Sequence, residues 1–182
     1  QTITSGSAVV PRSGAALQYY VREWFEGESL AQDLVHRRAE RRGGRSLDEA
    51  LTLLDGAAEG LAYAHAKGVA HLSLRPSNIF LIEEDGAPCS KILDFGVAKA
   101  VDVAEVGVLG SLAVQTLWAS YAAPEQLRRQ LGESGPWTDV YGLALVLLEV
   151  LSGRPVFDSS SAMSRAAKPD LRPSPWDHGV RV

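Results

Sequence analysis

Apolar and polar residues alternate with different periods along the chain, and each period predicts an element. Residues 1–16 are small and polar, with Gly6, Pro11 and Gly14, and predict a loop carrying one edge strand at Ala8–Val10. Tyr19–Phe25 is aromatic and β-branched, which suits a strand, and Glu26-Gly27 ends it. Ser29–Arg42 predicts a short helix that becomes highly charged. Its cluster of His36, Arg37, Arg38, Arg41, Arg42 and Arg45 has no interleaved aromatics, so it reads as a solvated helix end rather than a phosphate site. After Gly43-Gly44, Ser46-Leu47-Asp48-Glu49 has the form of a capping box. Behind it Leu47, Leu51, Leu54, Ala58, Leu61 and His65 recur at helical spacing, and Gly68 closes the helix. Val69–Leu72 and Ile79–Ile82 are short apolar runs around a polar loop, Glu84-Asp85-Gly86 is a turn, and Lys91–Leu93 is a further short strand. The stretch 94–125 is irregular, as a long surface segment would be. Asp139–Leu151 is apolar on every side and predicts a buried helix, with Pro136 and Thr138 before it and Gly153 and Pro155 after it.

Composition narrows the function classes. The chain has 182 residues, enough for one ordinary domain, with 46% apolar and 22% charged residues, and a net charge of −4 gives no support to nucleic acid or an anionic membrane as partner. The single cysteine, Cys89, cannot form an internal bridge, which suits a cytoplasmic location. The longest apolar run, Leu143–Leu148, falls far short of the roughly 18 residues of a membrane span, so no membrane segment is expected. Residue 1 is Gln and the only methionine is Met163, so the chain reads as a piece of a longer soluble protein.

The chemistry is concentrated in His71-Leu72-Ser73-Leu74-Arg75-Pro76-Ser77-Asn78, followed sixteen residues after Asn78 by Asp94-Phe95-Gly96. Oxygens of Asn78 and Asp94, each on a loop after a short strand, could share one Mg²⁺. A cation at Arg75 could neutralise a phosphate. Tyr121-Ala122-Ala123-Pro124-Glu125-Gln126 and Thr138-Asp139-Val140-Tyr141-Gly142-Leu143 follow in order. With these four motifs at these gaps, the sequence resembles the protein-kinase family of the bacterial serine/threonine type, over roughly residues 17–157. The resemblance implies an α+β fold with a mostly helical C-terminal lobe, short β-hairpins and a remnant of the N-lobe sheet. Residues 1–16 would be loop or N-lobe remnant, and 158–182 a Ser/Pro/Arg-rich tail. It also implies ATP and Mg²⁺ as cofactors, with Asn78 and Asp94 as the metal ligands. The carbonyl of Glu23 and the amide of Phe25 would meet the adenine edge, Phe80 would lie beneath the ring, and Ser29 would reach the ribose. His71, Glu125 and Asp139 would be structural, with Asp139 accepting backbone N–H bonds from the catalytic loop.

The departures from that family decide the mechanism. Ser73 stands where the family has the aspartate that accepts the proton of the attacking hydroxyl, and a neutral hydroxyl is a poor base. Leu72 replaces the arginine that would pair with a phosphorylated activation loop, Arg75 replaces a lysine, and Trp118 replaces a hydroxyl residue. No glycine-rich Gly-x-Gly-x-x-Gly loop and no Val-Ala-Ile-Lys strand are found. The expected function is therefore a kinase-like domain that is catalytically impaired, or a pseudokinase, acting on a protein substrate or a regulated protein partner. An active atypical serine/threonine kinase in the full-length protein and a non-enzymatic interaction module are the alternatives.

Overall fold

The computed structural model describes residues 2–84, 86–95, 120–157 and 168–180. The chain opens with a hairpin of β1 (Thr2–Val9) and β2 (Ala16–Arg22), paired antiparallel from Val9↔Ala16 to Thr2↔Arg22. This corrects the loop expected at 1–16. The turn is closed by the Val10 N–H on Ala15 O and the Gly14 N–H on Val10 O, both at 2.9 Å. Gly14 takes the left-handed φ of 68° that such a turn needs. The β2 strand ends at Arg22, short of the predicted Phe25, because its partner ladder ends there.

A second sheet has the order β3–β4–β5, from Glu28–Ser29, Ile79–Glu84 and Ala87–Ile92. The β4–β5 hairpin turns at the predicted place, with Glu84↔Ala87 as its last pair and Gly86 at φ 77°. Val69–Leu72 forms no strand.

Helix α1 (Leu30–Ala39) starts on Ser29, whose hydroxyl accepts from the Gln32 N–H while the Gln32 amide oxygen accepts from the Ser29 N–H. Helix α2 (Leu47–Ala66) starts on the expected capping box of Ser46 and Glu49. Its buried stripe is Ala50, Leu53, Leu54, Ala57 and Leu61, whereas Leu47 and Leu51 are 40% and 51% exposed and Ala58 is exposed. The face is thus rotated about 60° from the predicted one. The reason is contact distance. A Cβ on Gly56 would lie 2.4 Å from Ser90 O of β5, and the Ala57 N–H reaches the buried Ser90 hydroxyl at 3.0 Å. Small residues let the helix backbone approach the strand, and this outweighs the larger leucines on the neighbouring stripe.

Two further helices follow, the single turn α3 (Pro124–Leu127) and the long α4 (Pro136–Ser152). Helix α4 has Pro136 in its first turn and ends on Gly153 in the left-handed region at φ 68°. Most of the expected span Asp139–Leu151 is buried or half-buried, with Val146 and Val150 inaccessible, but Val140 is 60% exposed and Ala144 is exposed, so a narrow strip departs from the all-round burial expected. The main core joins Leu30 and Leu34 of α1, the α2 stripe, Leu74, Ile79, and Val146 and Val150 of α4. Each such buried leucine or valine stabilises the fold by about 1.5–3 kcal/mol. A second cluster, Leu145, Leu148, Val156 and Phe157, seats the end of α4. In the tail only the short 3-10 turns Pro169–Leu171 and Trp176–His178 are seen among the described residues.

Candidate active site

The loop 71–78 connects α2 to β4 and is held from below by α4. Asp139, 1% exposed in the first turn of α4, places Oδ2 2.7 Å from the His71 N–H and Oδ1 2.7 Å from the Leu72 N–H. His65 of α2 donates Nε2–H to the same carboxylate at 2.8 Å. A carboxylate at a helix N-terminus also gains from the helix dipole. The loop is therefore fixed by main-chain bonds to one acid, and Leu72 is held at a left-handed φ of 62°.

His71 is fully buried. Its Nε2 lies 2.8 Å from Leu93 O, which can only accept, so Nε2 carries the hydrogen. Nδ1 then accepts from the Ser73 N–H at 3.2 Å, and the Ser73 hydroxyl also lies 3.2 Å from it. The ring meets Phe95 edge-on, with centroids 4.8 Å apart. This histidine ties the loop to the strand end and is already engaged at both nitrogens.

Asn78 is buried at the end of a single 3-10 turn, and its Nδ2 donates to Ser73 O at 2.9 Å. That bond turns Nδ2 to the loop, and among the described residues Oδ1 meets the Ser77 hydroxyl at 3.4 Å. Asn78 O accepts from the Leu93 N–H at 2.8 Å, so Asn78 and Asp94 stand at the same end of the β4–β5 hairpin. Asp94 is exposed, with a left-handed φ of 65°. Among the described residues no three His, Cys, Asp or Glu side chains converge as a metal group. Two oxygens at one hairpin end suit a hard cation that completes its shell with water and phosphate. Arg75 lines a small cavity with Ser73 and Asp139, and its Nε is buried without a hydrogen-bond partner among the described residues. A cation in that state fits an anionic ligand. Gly96 and Trp118 lie outside the described residues.

The residues expected around adenine are spread over the first connector and β4. Glu23 and Phe25 lie between β2 and β3, with Lys91 Nζ 5.2 Å from the Phe25 ring centre. Phe80 pairs with Ser29 on one side and Lys91 on the other. Gly27 at φ 145° lets the connector press on β4, where a Cβ would sit 2.0 Å from Leu81 O. The Ser29 hydroxyl, expected at a ribose, is used in the α1 cap, where it also donates to Gln32 Oε1 at 2.8 Å. Glu125 accepts from the Thr138 hydroxyl at 2.8 Å, and this joins α3 to the start of α4.

Sequence reasoning did not anticipate a buried polar network around Glu149. Glu149, 3% exposed in α4, accepts from Arg38 of α1 at Oε1 and from the Tyr121 hydroxyl at Oε2. Arg38 Nε also donates to Gly153 O at 3.0 Å. Arg45 pairs with Asp33 at 2.7 Å, with both side chains largely buried. Two arginines of the supposed solvated cluster are thus structural. The available signal was a lone glutamate within an apolar helix, since a buried acid requires partners. Burial first, then the Glu149 charge, pushes the Tyr121 phenol far above its ordinary value of 10.0. A phenol raised in this way stabilises the fold below its unfolded pKa, and that contribution is lost as pH rises from there towards the folded value. In an alkaline spectrophotometric titration Tyr121 should ionise only as the fold opens. Tyr121→Phe should blunt the loss of stability above about pH 10.

Comparison with known proteins agrees with this geometry. The protein kinase domain family matches residues 15–172. The serine/threonine-protein kinase PknA of Mycobacterium tuberculosis is 40% identical over 158 residues, which cover 86% of this chain and 33% of that protein. PknB of the same organism is 32% identical over 162 residues, covering 89% of this chain and 24% of that protein. The chain therefore spans a third or less of these relatives' length. Two crystal structures of the Mycobacterium tuberculosis PknI kinase domain share the fold, with TM-scores of 0.55 and 0.56 at 24% and 23% identity. Each match covers 89% of this chain and 60% of the other. No helix among the described residues is long and apolar enough to cross a membrane. The chain belongs to the protein kinase family, of the bacterial serine/threonine type.

Proposed function

We propose that this is a serine/threonine-kinase-type domain in which nucleotide and metal binding persist while phosphoryl transfer is impaired, and that it serves by engaging a protein partner in the cytoplasm. The observation that carries the reading is Ser73. Its main chain is held at both ends, by His71 Nδ1 and by Asn78 Nδ2, and the family resemblance would make its side chain the group that meets an incoming hydroxyl. That side chain is a neutral alcohol. Removing a general base lowers a rate by about 10²–10⁴.

Asn78 Oδ1 and the Asp94 carboxylate would hold Mg²⁺, which when bound would draw off charge from the phosphate oxygens of ATP. Arg75 would add a fixed cation beside the transferred group. The backbone of Glu23 and Phe25, with Phe80 beneath, would receive the adenine. Loop geometry is set by Asp139, and Glu125 ties α3 to α4.

The test is labelled-phosphate transfer from Mg²⁺–ATP into a generic serine/threonine protein substrate, run beside equilibrium ATP binding. Binding that needs Mg²⁺ and weakens in Asp94→Asn, with turnover far below about 1 s⁻¹, is the expected pair of results. Ordinary kinase turnover would overturn the impairment, and absence of Mg²⁺-dependent binding would overturn the nucleotide role.

A further inference from the structure

The carboxamide of Gln126 joins two segments. Its Nε2 donates to Leu72 O at 2.7 Å, and its Oε1 accepts from the Ala123 N–H at 3.0 Å. Leu72 is in the left-handed region, which residues other than glycine populate sparsely. Both peptide groups beside that φ are clamped, the N–H by Asp139 and the carbonyl by Gln126. Position 72 holds a leucine, which has no charge with which to receive a phosphorylated side chain. The 121–127 segment is nonetheless bound to the loop.

We propose that Gln126 is a positioning residue, a neutral latch that docks the 121–127 segment on the 71–78 loop without a phosphorylated group. Its meaning for phosphoryl transfer rests on the function proposed above, but its test reads hydrogen bonds and needs no activity. A glutamine is suited to this because one side chain supplies a donor and an acceptor at once. The charged and titratable groups around it are Arg75, Asp139 and Tyr121 in the same small cavity, and Glu125 beside it in α3.

Amide hydrogen exchange on the whole chain tests this in Gln126→Ala and Gln126→Glu. At neutral pH the introduced carboxylate keeps the acceptor for Ala123 but faces Leu72 O with no donor. Exchange at His71 and Leu72 should rise about tenfold or more while Ala123 stays protected. The alanine should release all three. As pH falls through the carboxyl range, near about 4.3, the protonated side chain of the Gln126→Glu variant can donate its O–H to Leu72 O again. Protection at His71 and Leu72 should then return in that variant, relative to wild type at the same pH. Wild-type protection should also survive phosphatase treatment. Unchanged exchange at His71 and Leu72 in both variants overturns the latch. Global unfolding of both variants with no return on acidification overturns it too, because a positioning bond does not carry the core. Loss of wild-type protection after phosphatase overturns its independence from phosphate.

Discussion

Ser73→Asp is expected to raise phosphoryl transfer by about 10²–10⁴, equivalent to roughly 3–5 kcal/mol of barrier. The structure makes the substitution a change of side chain alone. The Ser73 N–H and carbonyl are already bonded to His71 and Asn78, and the loop beneath them is fixed by Asp139. A carboxylate there would orient the attacking hydroxyl and take its proton, which the serine alcohol cannot do at neutral pH. Ser73→Asn is the control, since it matches aspartate in shape and offers no base. Labelled-phosphate transfer from Mg²⁺–ATP should rise for aspartate and stay low for asparagine. The gain should vanish again when Asp94→Asn is added to Ser73→Asp. Equal rates for aspartate and asparagine would show that something other than the missing base limits the chain.

Asp139→Ala should destabilise the fold by about 3–5 kcal/mol. The carboxylate is 1% exposed and accepts from the His71 N–H, the Leu72 N–H and His65 Nε2. Alanine leaves two buried main-chain donors and one imidazole donor without a partner, and each orphan costs about 1–3 kcal/mol before the loop relaxes. Asp139→Asn keeps one acceptor but turns an NH₂ towards a donor, so its loss should be smaller. Urea unfolding measures both, and exchange at His71 and Leu72 locates the effect. A cost under about 1 kcal/mol for alanine would mean that the loop stands without its anchor.

Several features were legible because their causes are local. The Ser46–Glu49 capping box needs only residues three apart, and the Glu84–Gly86 turn needs only a glycine able to take φ 77°. The same logic would have revealed Ser29-Leu30-Ala31-Gln32 as a second capping box, and with it the engaged state of the Ser29 hydroxyl. The first hairpin was harder. Thr2–Val9 contains glycine and serines with little strand preference, and it becomes a strand because β2 supplies its hydrogen bonds. The face of α2 was misread for a related reason. Leucine spacing reports where apolar bulk lies, but burial followed the small residues Ala50, Gly56 and Ala57, which allow β5 and α4 to come close.

The candidate site divides in the same way. The identity and order of His71, Ser73, Asn78, Asp94 and Asp139 were present in the sequence, and so was the replacement of an expected base by an alcohol. Residue type alone fixes which groups can ligate a cation or take a proton. Only the folded chain decided which atom of Asn78 is bonded to the loop and that Asp139 serves three donors at once. It alone revealed that Arg38, Tyr121 and Glu149 form one buried cluster. These pairings join residues 5 to 111 positions apart. Such contacts depend on how helices pack, and periodicity along a chain carries no record of that.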